Sequence, residues 1–438
     1  MKLKTKMKTK VVIQIFPTKL RVMPPARMFS FNSHKIAIGK SGSGKTNAME
    51  NFMIQLCGVS VDSNEKAKAK GIDLTDSGGR LENFLFDVEE NQGFLNRYPF
   101  KEINPQAYKT QKIMIAGSRL EYIKELPNGI EIRSLDPESL NLSDLKFIVA
   151  ESEPARRTLD YIVFKYGNIN LLKFFELLKT KLMSDKIVPR QLTFSFLRRV
   201  SSLLSSEMFS DQFSRIDFVE ILKDRERITS FSTFLFEDSL QEGLFYGLAL
   251  RKIFEAKSRH FVDNPVYVYC RELSIISSRL SGQEMKLAQQ YLLKILRFGR
   301  DMNLNLLADS QRFRDLLPAF RINFGLYIFM KSDFAEAMAI NEITLIPFQT
   351  LLKIPRLDIG QALILSNEFK FPVFIPPVPF MHKKPNMDVL KVLTKLFGTQ
   401  SIDYKLDSST RGFGNFEAPD AENFDIDRDI GGLEDVYG

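Results

Sequence analysis

Tryptophan is absent from these 438 residues, and cysteine and histidine are scarce, at two and three. Cys57 and Cys270 give neither a disulfide framework nor a metal-ligand spacing, and zinc or Cys/His chemistry finds no support in so few scattered residues. Both cysteines sit in apolar surroundings and read as small buried hydrophobes. No apolar run approaches the ~20 residues that cross a bilayer as a helix; Phe371–Phe380 is apolar but short and broken by prolines. The N-terminus carries lysines at 2, 4, 6, 8 and 10, with no hydrophobic stretch leading to a small-residue cleavage site. These absences argue against a disulfide-stapled secreted module, a zinc domain and a helical membrane protein. The expected location is the cytoplasm of a cell or host.

What is present is an ordinary soluble composition, 44% hydrophobic and 26% charged, with 38 phenylalanines that read as core. The chain is long enough for one large or two moderate domains. Its net charge of +8 is uneven: from Gly398 onward ten acids face three bases, so the tail carries −7 and the remainder +15. A basic body of this size suits a polyanionic partner, nucleic acid first.

The most specific stretch is Gly39-Lys40-Ser41-Gly42-Ser43-Gly44-Lys45-Thr46, which fits the phosphate-loop pattern G-x-x-x-x-G-K-[ST]. Lys35-Ile36-Ala37-Ile38 before it reads as a buried strand. Asn47 to Cys57 after it reads as a helix with Met49, Phe52, Met53 and Leu56 on one side. Strand, glycine loop and helix are the context in which backbone N–H groups converge on phosphate oxygens at a helix N-terminus. In that reading Lys45 reaches the β- and γ-phosphates and the Thr46 hydroxyl serves Mg²⁺.

Taken in order, residues 1–30 read as a basic arm with a strand at Val11–Phe16, and Asp62 to Gly79 as an exposed polar loop. Strands are expected at Phe84–Asp87, Lys112–Gly117 and, as an edge, Ile130–Arg133. Asp136-Pro137-Glu138-Ser139 reads as a helix start or turn. From Leu145 to Lys223 apolar residues fall at helical spacing. Strands return at Ile228–Phe236, Pro265–Cys270, Leu304–Ala308, Phe324–Met330, Ala362–Ser366 and Val373–Ile375, with helices at Ser239–Ala256 and Gln283–Phe298 between them. Alternation of this kind predicts an α/β parallel sheet. Gly398–Gly438 reads as a disordered acidic tail.

In open parallel sheets, ligand chemistry gathers at the carboxyl ends of strands. Three such ends stand out. Glu272, after Cys270-Arg271, sits where an ATPase carries the carboxylate that polarises the attacking water. The preceding position, where a metal-holding acid belongs, is Arg271. Gln311, after Leu304–Ala308, is placed to sense the γ-phosphate or the lytic water. Asp87 is a further candidate for metal or water positioning.

The order of these parts resembles the HerA/FtsK-type ring ATPases, a group that includes DNA translocases, conjugation ATPases and viral packaging motors. The resemblance rests on His34–Gly39 leading into the phosphate loop and on Pro265–Glu272. It rests also on the run Arg297-Phe298-Gly299-Arg300 followed by Ser310-Gln311-Arg312, and on the closing strands Gly360–Ile364 and Pro372–Ile375. It covers residues 31–90 and 226–380, and Arg271 departs from it. The resemblance implies self-association into a ring, usually a hexamer, with ATP and Mg²⁺ between subunits. A neighbour's arginine would act in trans, with Arg297, Arg300 and Arg321 as candidates. Double-stranded DNA would thread a pore lined by basic loops, Lys66 to Lys70 being one option.

The expected fold is therefore a RecA-like P-loop NTPase with a mostly parallel sheet flanked by helices. The expected divisions are a basic arm (1–30), a first core part (31–144), a mostly helical insertion (145–225), a second core part (226–397) and an acidic tail (398–438). The expected activity is that of a P-loop ATPase moving or packaging double-stranded DNA, with Lys45, Glu272 and Gln311 catalytic. Its alternatives are an ATPase energising secretion, conjugation or particle assembly, and a nucleotide-binding subunit of weak hydrolysis.

Overall fold

The computed structural model describes residues 33–58, 69–74, 109–366 and 373–375, apart from 124–125, 127–128, 151, 226, 279–280 and 342–346. The basic arm, the acidic tail, Phe84–Asp87 and lysines 66 and 68 lie outside the described residues. Two compact units make up the chain, Met1–Glu121 with Asn128–Asn386, and Tyr122–Pro127 with Met387–Gly438. The architecture below is that of the first.

The sheet begins with β1 (Lys35–Ile38), followed by the loop and α1 (Lys45–Gly58). Then come β2 (Lys70–Leu74), β3 (Lys109–Ile115) and the edge strand β4 (Ile130–Arg133). A helical stretch follows: α2 (Leu142–Val149), α3 (Glu153–Tyr166), α4 (Leu171–Thr180), α5 (Arg190–Leu204) and α6 (Phe218–Lys223). The chain re-enters the sheet at β5 (Arg227–Ser232), then α7 (Ser239–Ser258), β6 (Val266–Cys270), α8 (Ser274–Ser277), α9 (Lys286–Phe298) and β7 (Leu304–Ser310). It closes with α10 (Pro318–Arg321), β8 (Leu326–Met330), α11 (Phe334–Asn341), α12 (Phe348–Leu351), β9 (Ala362–Ser366) and β10 (Val373–Ile375).

Ten strands form one sheet in the order β10-β9-β8-β1-β7-β6-β2-β5-β3-β4. From β8 to β4 every pairing is parallel; β9 runs antiparallel to β8, and β10 to β9. The mostly parallel α/β sheet is thus observed. Its central strands are buried along their whole length, which is why β6 and β8 read as near-continuous apolar runs. The late strands β7 and β8 enclose β1 from both sides, so the chain reverses its winding at β1. A crevice therefore opens beyond the carboxyl end of that strand.

Caps and small residues set the helices. Ser152 caps α3 through Ala155 N, Asn170 caps α4 through Lys173 N, and Asp217 caps α6 through two amides. Asp136 caps a 3₁₀ turn at Pro137–Ser139, as its turn signature predicts. The long helix α7 is buried over most of its length. It meets the turn leading into α9 at Gly243, where a Cβ would lie 2.4 Å from the Glu284 carbonyl oxygen, and α9 itself at Gly247, 2.7 Å from Leu287. Arg251, buried in α7, pairs at 2.7 Å with the buried Asp144 of α2 and so pins the helical stretch to the core.

One stretch corrects the sequence reading. Lys70–Leu74, expected within an exposed loop, is a strand at the centre of the sheet and is buried throughout. Lys70 donates to Thr229 Oγ1 at 2.9 Å, Gly71 leaves room for Met53 and Cys57, and Asp73 meets an arginine described below. Lys70 therefore lines no pore. Cys57 and Cys270 are buried, as expected, and burial pushes the Cys57 thiol up to about 12.

Candidate functional site

The carboxyl ends of β1, β7 and β6 lie side by side, in register at Ala37↔Asp309 and Cys270↔Ala308. From β1 the chain turns into the glycine loop. Gly39 N donates to Ser310 O (3.2 Å) and Lys40 N to Lys331 O (2.9 Å), anchoring the loop to both neighbouring strands. Gly42 and Gly44 have φ of +74° and +99°, values that favour glycine. Gly360 N donates to Ser43 O at 2.9 Å and braces the loop from the segment before β9. Lys45 is buried, and its ammonium donates to Lys40 O at 3.2 Å, holding it over its own loop. The buried hydroxyls of Ser43 and Ser332 have no hydrogen-bond partner among the described residues. A loop of amides at the N-terminus of the 14-residue α1, with a lysine and spare hydroxyl donors, fits a polyphosphate.

Glu272 stands at the end of β6 with φ of +45°, a left-handed conformation rare for a side chain of this kind. It is held there by its neighbours. Its amide donates to Asp309 Oδ1 at 2.6 Å. Its Oε1 accepts from Ser274 Oγ at 2.8 Å and from Gln311 N at 2.9 Å. Burial, and next the charge of Asp309, raise the Glu272 carboxyl above its ordinary value, while Lys45 pulls the other way. A carboxylate shifted towards neutrality is better suited to accept a proton. Glu272 and Gln311 are therefore brought together, and the contact runs through the Gln311 main chain.

Asp309 is the residue that sequence reasoning missed. The strand was expected to end at Ala308, but β7 continues to Ser310 with Asp309 inside it, 2% exposed. Its Oδ2 accepts from Thr46 Oγ1 (2.9 Å) and Tyr269 OH (2.8 Å). An acid directly after the apolar run Leu306-Leu307-Ala308 was the available signal.

Arg271 turns away from the loop. Its Nε and Nη2 donate to Asp73 Oδ1 (3.2 Å) and Oδ2 (2.9 Å), and Nη2 lies 2.7 Å from Glu50 Oε1 on α1. The guanidinium is 5.1 Å from the Tyr269 ring centroid. It bolts β6 to β2 and to the loop helix, and its charge is spent on two carboxylates.

The remaining candidates lie elsewhere. Asp87 is outside the described residues. Arg297 is exposed and Arg300 half-buried at the turn before β7, the latter beside Gly325 and Ser33 at the amino edge of the sheet. Neither meets the loop of its own chain. Arg321 is buried, its guanidinium 5.8 Å from the Phe313 ring. Among the described residues no cluster of three metal-binding side chains occurs, and no helix is long and apolar enough to cross a membrane.

No family model matches this chain, and no curated protein matches it. Solved structures do. VirB4 of Thermoanaerobacter pseudethanolicus superposes with a TM-score of 0.50 at 11% identity, over 79% of this chain and 89% of that one. The bacterial conjugative coupling protein TrwBdeltaN70, in an unbound monoclinic form, gives 0.50 at 11% identity over 86% and 92%. At such identity the likeness is one of fold: the chain has the RecA-like P-loop NTPase fold shared by these two proteins.

Proposed function

We propose that this chain is an ATP-hydrolysing motor that moves or packages double-stranded DNA as a ring of identical subunits. The observation that carries the reading is the coupling of three strand ends. The Glu272 carboxyl is held by the Gln311 main chain, and the Glu272 amide by the same carboxylate that accepts the Thr46 hydroxyl proton. A change at the terminal phosphate would be felt at once by the water-activating group and by β7. That is what an engine needs and a static binding loop does not.

Mg²⁺ prefers hard oxygen ligands and keeps most of its waters beside phosphates. Thr46 and the carboxylates around it fit that ion. Bound Mg²⁺ would neutralise charge on the β- and γ-phosphates. Lys45 would hold the same phosphates, Glu272 would accept a proton from the attacking water, and Gln311 would report the outcome along β7. In a ring, Arg297 is the exposed one of the three candidate arginines and so the one available to a neighbour. The +15 carried by residues outside the acidic tail supports a polyanionic cargo, bound through its backbone and without regard to sequence. The fold shared with a conjugative coupling protein supports the same class of work.

The test is ATP turnover with and without duplex DNA across a salt series. Stimulation at low salt that falls steeply as salt rises is expected. Turnover indifferent to DNA at the lowest salt would remove DNA as cargo, and the chain would then be an ATPase of protein export or particle assembly. Native mass measurement with a slowly hydrolysed analogue should show a closed oligomer, a hexamer in this reading.

A further inference from the structure

We propose that Asp309 is the carboxylate of the Mg²⁺ site, the duty having moved one strand over, from the end of β6 to the end of β7. The proposal rests on the nucleotide-binding reading above. At the end of β6, Arg271 is buried, carries the opposite charge, and is turned through Nε and Nη2 to Asp73 and Glu50. A guanidinium at that position cannot serve a cation. Asp309 lies on β7, which pairs directly with β1, and its register partner is Ala37, two residues before the loop. The acid is therefore one strand closer to the loop than the position it replaces.

Its hydrogen bonds show how it would work. Thr46 donates its only hydroxyl proton to Asp309 Oδ2. With the proton fixed on that side, the oxygen lone pairs of Thr46 are left for a cation. A carboxylate has about four acceptor positions. Thr46 and Tyr269 use two on Oδ2, and the Glu272 amide uses one on Oδ1. One position on Oδ1 stays available to a water of the ion's shell. Losing a partner that orients a ligand in this way typically costs about 10–100-fold in metal affinity. The Glu272 carboxyl is anchored through Oε1 to Ser274 and Gln311. Among the described acids, Asp309 alone touches Thr46.

The same carboxylate fixes the backbone of Glu272 in its left-handed turn. Asp309 thus links the metal side of the site to the water-activating side, a role that an acid at position 271 would not have.

The experiment measures the affinity of a fluorescent ATP analogue with Mg²⁺ and with EDTA, and Mn²⁺ binding by electron paramagnetic resonance with ADP, on the full chain. Lys45→Ala should abolish binding in both conditions; if it does not, the nucleotide reading fails and the metal question does not arise. Asp309→Asn should keep metal-free binding yet lose the Mg²⁺-dependent gain by about 10–100-fold, with Mn²⁺ binding lost in parallel. Thr46→Ala should lose the same gain, and the double variant should lose no more than either alone. Asp309→Glu preserves the buried charge and serves if the asparagine variant does not fold; displacement of its oxygens should reduce the gain. An Mg²⁺-dependent gain left intact in the Asp309 variants, or lost in Asp87→Asn instead, overturns the proposal.

Discussion

Placing an acid back at position 271, where the resemblance expects one, should damage the protein rather than improve it. Arg271 is 6% exposed and faces Asp73 and Glu50, themselves 9% and 17% exposed. Removing one member of a buried ion pair costs about 3–5 kcal/mol, because the remaining charges lose compensation. Arg271→Met should cost that amount. Arg271→Asp should cost more, since three carboxylates would then share one buried space. At about 2 °C or more per kcal/mol, the midpoint of thermal unfolding for Arg271→Met should fall by roughly 6–10 °C. The triple change Arg271→Met, Asp73→Asn, Glu50→Gln should recover most of the loss, because no unpaired charge is left behind. Acid should narrow the deficit as well. Burial raises the Asp73 carboxyl above its ordinary value even with Arg271 present, and without Arg271 it rises further. A raised carboxyl binds its proton more tightly in the folded state, so lowering pH stabilises the variant relative to the wild type. The assay is thermal or denaturant unfolding at pH 7.5 and pH 5.5, with ATP turnover measured in parallel. An Arg271→Met midpoint equal to wild type, or an Arg271→Asp protein as stable and faster in turnover, would refute this reasoning.

His34, buried at the start of β1, has its imidazole depressed to about 3, first by burial and then by Arg300. The unfolded chain therefore takes up a proton below about pH 6.5 that the folded chain refuses, and stability falls by about 2 kcal/mol between pH 7 and pH 5 from this group. A His34→Asn protein should show a shallower loss in that window; matched pH profiles would dismiss the histidine. Gly243→Ala places a Cβ 2.4 Å from the Glu284 carbonyl oxygen and should destabilise by about 1–3 kcal/mol, read by denaturant midpoint. Gly44→Ala forces a side chain to φ of +99° at the loop, and should weaken nucleotide binding in an equilibrium titration while leaving the fold intact by circular dichroism.

Much of this was legible in the sequence because local signals and tertiary context agree. The glycine loop announces its own backbone, and β6 and β8 announce burial on both faces by unbroken apolar runs. The helices over 142–223 follow from apolar spacing and capping residues. The parts that escaped are those whose partners are remote in the chain. Lys70 and Asp73 gave their strand the look of an exposed loop, since the partners their polar groups meet, Thr229 and Arg271, lie 159 and 198 positions away. Asp309 read as the start of a loop because Thr46, which makes sense of a buried acid there, is 263 positions upstream. Arg271 read as a flaw in the site when judged against a motif. In the fold it is a tie between β6, β2 and α1, and the carboxylate next to the loop comes from another strand.

The central claim, that the strand ends around the glycine loop form an engine driven by Glu272, is tested most directly by single-turnover ATP hydrolysis on wild type and Glu272→Gln, with nucleotide binding measured on the same samples. The predicted result is unchanged binding and hydrolysis slower by about 10²–10⁴-fold in the variant. Equal hydrolysis in the two proteins, or none in either, would contradict it.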